Sequence, residues 1–177
     1  HELTGELKGG YSRYFAVPDA SRPEMTGKLG LRLDILRDTI ADFETRMSLD
    51  TQRPGSPELG TSVVGRPQIY AYGATAGITQ NFHPVSLSLR GTVDRTTYAD
   101  AKLSSGSTLS QADRDLTQYG ARLRASYEMT PGLKPFVEAG VDTRVFDRTV
   151  DSAGYRRASD GLTGRVGSSF ELTRLLT

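Results

Sequence analysis

Between residues 30 and 50 the chain alternates on either side of a short polar turn. Leu31, Leu33 and Ile35, then Ala41, Phe43, Thr45, Met47 and Leu49, take one set of positions. Arg32 and Asp34, then Asp42, Glu44, Arg46 and Ser48, take the other. A period of two predicts strands with one apolar and one charged face, because successive side chains of an extended chain point to opposite sides. The pattern returns along the whole sequence. Leu3, Leu7 and Tyr11 alternate with Thr4, Glu6 and Lys8; Tyr70, Tyr72, Ala74, Ala76 and Ile78 with Ala71, Gly73, Thr75 and Gly77. Val85, Leu87, Leu89 and Val93 oppose Ser86, Ser88, Arg90 and Asp94; Tyr119, Leu123 and Tyr127 oppose Arg122, Arg124 and Glu128. Val137, Val141 and Val145 oppose Glu138, Asp142 and Arg144; Leu162, Val166, Phe170 and Leu172 oppose Arg165 and Glu171. Eight strands and no helix are predicted.

The connections carry a second period. "LRDTI", "NFHP" and "TPGL" read as tight turns, with Asn, Asp, Pro or Gly where a hairpin needs them. "AVPDASRPEM", "TQRPGSPELGTSVVGRP", "TTYADAKLSSGSTLSQADRD" and "RTVDSAGYRRAS" read as long exposed loops. Turns short at one end and long at the other, joining strands of about ten residues, are the pattern of outer-membrane barrels. The predicted fold class is all-β: an antiparallel up-and-down transmembrane β-barrel.

On this reading Leu31, Leu33, Phe43, Met47, Leu87, Leu89, Leu123, Tyr127, Val137, Val141, Val166 and Phe170 face lipid. The charges face a lumen and are its candidate pore-lining residues: Arg32, Asp34, Glu44, Arg46, Arg90, Asp94, Arg122, Arg124, Glu138, Asp142, Arg144, Arg165 and Glu171, with Glu6, Lys8, Asp42 and Glu128 beside them. Pairing the hairpins by charge sets Arg32 opposite Glu44 with Leu33 opposite Phe43. It sets Arg122 opposite Asp142, Leu123 opposite Val141 and Tyr127 opposite Val137, each to within one two-residue slip. Tyr11, Tyr70, Tyr72 and Tyr119 gather toward the loop end of the apolar face, and Phe43, Tyr127 and Phe170 toward the turn end, as interfacial girdles do.

Composition narrows the function. A net charge of +1 from 22 basic and 21 acidic residues lacks the clustered basic excess of a nucleic-acid-binding surface, so no nucleic-acid partner is expected. With no cysteine there is neither a disulfide framework nor a thiolate metal site. The longest apolar run is four or five residues, far short of a membrane-spanning helix. No signal peptide is visible, since "HELTGELKGGYSRYF" already reads as a strand.

Residues 114–147, "RDLTQYGARLRASYEMTPGLKPFVEAGVDTRVFD", carry an Arg-Asp ahead of Tyr119, then Tyr127 with Thr130-Pro131, then Pro135-Phe136-Val137-Glu138, ending near Arg144 and Asp147. This stretch resembles the outer-membrane β-barrel porins of Proteobacteria, a family distantly similar to carbohydrate-selective porins. "GITQNFHPVSLSLRGTVDRTTY" and "GRVGSSFELTRLLT" look like further hairpin units of that kind. The resemblance covers most of the chain, and its motifs describe architecture without naming a substrate. Members of that family are longer and end in an aromatic strand. Residues 1–177 are therefore expected to form a single β-barrel region belonging to a longer chain, with a closed eight-stranded barrel as the alternative.

Candidate catalytic chemistry is thin. His83 sits beside Pro84 in a tight turn, where a turn role outweighs a ligand role, and no Ser-His-Asp set assembles around it. Asp113 and Asp115 match no calcium-loop spacing, so no metal is expected. "GLTGRVG" follows no parallel strand and opens no helix, so it is not a phosphate loop. No enzyme activity and no cofactor are expected.

The reading that emerges is an outer-membrane porin of a Gram-negative bacterium, passing small hydrophilic solutes down a gradient. The resemblance adds sugars as a solute class. Expected partners are outer-membrane lipid and the solutes themselves. A homo-oligomer is compatible with the pattern, although no stripe marks its interface. Three alternatives stay open: an outlet for polysaccharide export, a non-conducting structural or adhesive barrel, and a soluble barrel with the pattern turned inside out.

Overall fold

The computed structural model describes residues 1–13, 15, 21–52, 63–64, 67–150 and 154–170. Eight long strands run as antiparallel neighbours in chain order: β1 (Glu2–Ser12), β2 (Arg22–Leu36), β3 (Thr39–Thr51), β5 (Gln68–Phe82), β6 (Val85–Tyr98), β9 (Leu116–Tyr127), β10 (Leu133–Phe146) and β11 (Ser159–Phe170). Three short strands, β4 (Val63–Val64), β7 (Ala101–Leu103) and β8 (Thr108–Leu109), make a second small sheet from the long connections. These were too short to show any alternation in the sequence. There is no helix among the described residues.

The tight turns lie where expected. Phe82 pairs with Val85 across His83-Pro84, so His83 is a turn residue. Leu36 pairs with Thr39 across Arg37-Asp38. Thr130 bridges Leu133 across Pro131-Gly132, and Gly132 has φ +99°, the positive value that a Pro-Gly type II turn places on its second central residue.

Two registers differ from the charge-based pairing, each by two residues. Arg32 faces Asp42, Leu31 faces Phe43 and Leu33 faces Ala41. Arg124 faces Glu138, Arg122 faces Gly140, Leu123 faces Ala139 and Val137 faces Ala125. The cause is twofold in each hairpin: the turn has two residues where the charge-based pairing implied three, and an extra residue sits beside it. Ile35 bulges between Asp34 and Leu36, and four steps from Thr130 to Ser126 oppose three from Leu133 to Phe136. A two-residue slip keeps every side chain on its face.

Strand β2 also starts earlier than expected, at Arg22, inside the stretch read as a loop. Pro23 is tolerated because β2 there pairs only with β1, its ladder to β3 beginning at Met25.

Burial is inverted relative to a water-soluble sheet. In β3, Phe43 and Met47 are 45% and 46% exposed, whereas Glu44 and Arg46 are half-buried. Leu89, Leu123, Val137 and Val141 are likewise exposed, while Thr75 on the opposite face is buried. The one buried hydrophobic residue among the described residues is Ala101, which lies in the small loop sheet. Side chains crowd on the inner side of a curved sheet and fan apart on the outer side, so this distribution marks the polar face as concave.

Candidate functional site

The polar face is a lattice of charges laid across strands. Arg46 on β3 reaches over β5 to Asp94 on β6, with Nη2 donating to Oδ1 and Oδ2 at 2.6 and 2.7 Å and Nε to Oδ1 at 3.0 Å. Its Nη1 donates to Thr75 Oγ1 at 2.9 Å. The strand crossed carries Gly73, where a Cβ would press on the Asp94 carboxylate and stand 2.8 Å from the Val93 carbonyl oxygen. One rung toward the turns the order reverses: Arg90 Nη2 on β6 donates to Asp42 Oδ2 on β3 at 3.1 Å, passing Gly77. Two glycines in the middle strand therefore make room for ion pairs between strands that are not neighbours. Strand spacing of about 4.8 Å doubles to a gap that an Arg–Asp pair spans only by lying flat.

Further pairs extend the lattice. Lys28 Nζ meets Glu44 Oε2 at 2.8 Å, Lys8 pairs with Glu6, and Arg32 Nε meets Asp34 Oδ1 at 3.5 Å. On the other flank Arg165 Nη1 stands 3.8 Å from Glu138 Oε1, and the Arg144 guanidinium donates to Gln118 Oε1 at 3.4 Å. Arg124 stacks 3.6 Å above the Phe136 ring, and that ring lies over Gly167, where a Cβ would meet it at 2.7 Å. Every described charge assigned to the polar face stands there by register except Glu128, which lies just past the end of β9; Asp142, for example, opposes Gly120 and Gly161. Glu171 lies outside the described residues.

The apolar assignments share the other face. Leu31 pairs with Leu3 and Phe43, Met47 with Gly27 and Tyr72, Leu89 with Ile78 and Leu123, and Tyr127 with Val85. Leu87 pairs with Gln80, Val137 with Val166, Val141 with Leu162 and Phe170 with Leu133. Where Gly27, Thr45 and Ala74 present little side chain, this face has a hollow of about 510 Å³ walled by Leu7, Leu29, Met47 and Val93.

One charge pair falls on the apolar face and was not singled out from the sequence, although its odd position after Val93 would have shown it. Near the loop end of β6, Arg95 donates through Nη1 to Asp147 Oδ1 at 2.8 Å and Thr117 Oγ1 at 3.0 Å, and through Nη2 to Asp147 Oδ2 at 2.5 Å. Those hydrogen bonds hold the Asp147 carboxyl, just past the end of β10, below its usual range. Of the 113–115 stretch, Asp115 serves the loop: its Oδ1 accepts from the Tyr98 backbone N–H at 2.8 Å, and Arg114 lies 4.1 Å above the Tyr98 ring. No cluster of three or more His, Asp or Glu that could hold a metal occurs among the described residues.

A long antiparallel meander with its apolar side outward and its charges inward is the wall of a membrane-spanning β-barrel. The chain matches the family model described as "Putative beta-barrel porin 2" over residues 1–177, and it belongs to that family, a β-barrel porin of the outer membrane. No curated protein matches it. Among solved structures, Neisserial surface protein A aligns over 95% of this chain and 92% of its own, at 15% identity and a TM-score of 0.33.

Proposed function

We propose that this chain builds the wall of a water-filled pore in the outer membrane of a Gram-negative bacterium, through which small hydrophilic solutes diffuse. Arg32, Asp34, Glu44, Arg46, Arg90, Asp94, Arg122, Arg124, Glu138, Asp142, Arg144 and Arg165 line the passage, and lipid covers the opposite face. The observation that carries the reading is the sorting of the two faces: Phe43, Met47, Leu89, Leu123 and Val141 stand exposed on one, while the charges gather on the other, with Glu44, Arg46, Asp94, Arg124 and Glu138 half-buried there. The protein performs no reaction and needs no cofactor, because the solute gradient drives the flux. Sugars suit a lining of both signs with many hydroxyls.

Among the described residues no ladder joins β1 to β11. In a bilayer an unpaired strand edge leaves backbone N–H and C=O groups without water, at several kcal/mol each. An edge of that kind favours further strands meeting β1 and β11, in a barrel of more than eight.

The test is single-channel recording of the full-length protein refolded into planar bilayers, with sugars added as blockers. Stable open steps support the pore, and block by a sugar supports sugars as solutes. Membrane insertion without conductance would refute the pore and leave a structural barrel.

A further inference from the structure

The two flanks of the polar face are not alike. At its register positions β1 to β3 carry more acids than bases, whereas β6 to β11 carry Arg90, Arg122, Arg124, Lys134, Arg144 and Arg165 against Asp94, Glu138 and Asp142. Glu128, just past the end of β9, meets Lys134 at 3.7 Å, and the three acids within the strands do little to cancel the excess that remains. Asp94 is claimed from across β5 by Arg46. Glu138 lies between Arg124, directly opposite it, and Arg165, and Asp142 makes no ion pair among the described residues.

At the centre of this flank Arg90 and Arg122 stand directly opposite each other on β6 and β9. Like charges so placed destabilise a strand pair. A wall held only by charge pairing would set an acid there. Arg90 is drawn away toward Asp42. Arg122 makes no hydrogen bond or ion pair among the described residues; it is exposed, and its stem packs over Gly140, whose Cβ would meet Arg122 Cγ at 3.2 Å. Its neighbour Arg124 spends its guanidinium face on Phe136 and makes no ion pair among the described residues, the carboxylate opposite it, Glu138, meeting Arg165 instead.

We infer that the β6–β9–β10 lining selects small oxyanions, with Arg122 as the specificity-determining residue. An unpartnered guanidinium offers paired N–H donors that match carboxylate and phosphate oxygens, and a stacked arginine beside it adds charge without closing the site. Charge totals alone, nearly balanced in this chain, conceal the preference, because the acids gather on one flank and the cations on the other. The inference rests on the open-pore reading and sharpens its solute class.

The experiment measures zero-current potential across planar bilayers holding the full-length protein, with unequal KCl on the two sides, then with potassium phosphate. The expected sign is that of an anion-preferring pore, with phosphate carried or blocking. Arg122→Ser should move the potential toward zero with conductance retained, and Arg122→Lys should restore part of the preference. Cation preference, or a potential unmoved by Arg122→Ser, would overturn the inference while leaving the pore intact. Insertion without any conductance would overturn both.

Discussion

Replacing Leu123 by arginine tests which face meets lipid, and the structure sets the size of the effect. Leu123 is 53% exposed and has Leu89 and Ala139 as its cross-strand neighbours. It lies midway along β9 between Tyr119 and Tyr127 on the same face. At about 3.3 Å per residue and a tilt near 40°, each tyrosine is roughly 10 Å away along the barrel axis. The pair brackets about 20 Å of an apolar band about 25 Å tall, with Leu123 near its middle. Leu123→Arg should therefore cost about 2–4 kcal/mol, and Tyr119→Arg, at the interface, about 0–1 kcal/mol in charge transfer. Ser126→Arg, on the polar face between Ser86 and Phe136, should show no midplane penalty. The measurement is equilibrium unfolding from lipid vesicles followed by circular dichroism, suited to a stretch without tryptophan. A neutral Leu123→Arg would mean that this face does not meet lipid at mid-bilayer and that the barrel reading is wrong.

Four further outcomes follow from the geometry and are read in the same unfolding assay. Gly73→Ala should destabilise by about 1–3 kcal/mol, since its Cβ meets the Val93 carbonyl and displaces Asp94, while Gly91→Ala, with open space around it, should cost little. A double-mutant cycle on Arg46 and Asp94 should return a coupling of about 1 kcal/mol, modest because both side chains keep over a third of their surface exposed. Gly132→Val forces a β-branched residue to φ +99° and should cost about 1–2 kcal/mol or more; no change would contradict the turn. Asp147 has a folded-state pKa below its unfolded value, so its contribution is present at neutral pH and lost as pH falls below the ordinary carboxylate range. Asp147→Asn should flatten that part of the stability–pH curve, and an unchanged curve would remove Arg95–Asp147 from the account.

Which of the described strand residues share a face was legible from the sequence, Arg95 apart, because alternation depends only on parity and parity survives a two-residue slip. Register was less legible. Pairing by charge favours Arg122 with Asp142, but the bulge before Thr130 sets Arg122 against Gly140. A bulge leaves no composition signal, since Ile35 looks like any other apolar strand residue. The lattice itself was hidden for a different reason. Arg46–Asp94 and Arg90–Asp42 join strands that are not neighbours, and what permits them is the lack of a side chain at Gly73 and Gly77. Pairwise reasoning along hairpins has no term for a contact made over a third strand. Pro23 misled in the same local way, because its tolerance depends on β2 outrunning β3.

The near absence of buried hydrophobic residues has a consequence for how such a chain reaches its destination. Because apolar and polar residues alternate along the strands, mean hydropathy stays at −0.42 and no stretch is greasy enough to be retained as a helix in a membrane met in transit. The same dilution leaves the unfolded chain little reason to collapse in water, where folding would gain almost no core. Both deficits vanish only when the strands are paired, since pairing collects the scattered apolar residues into one continuous surface. In the pore proposed above, the hydrophobic gain would then be delivered all at once and only against lipid, which makes assembly of the wall and entry into the bilayer a single event.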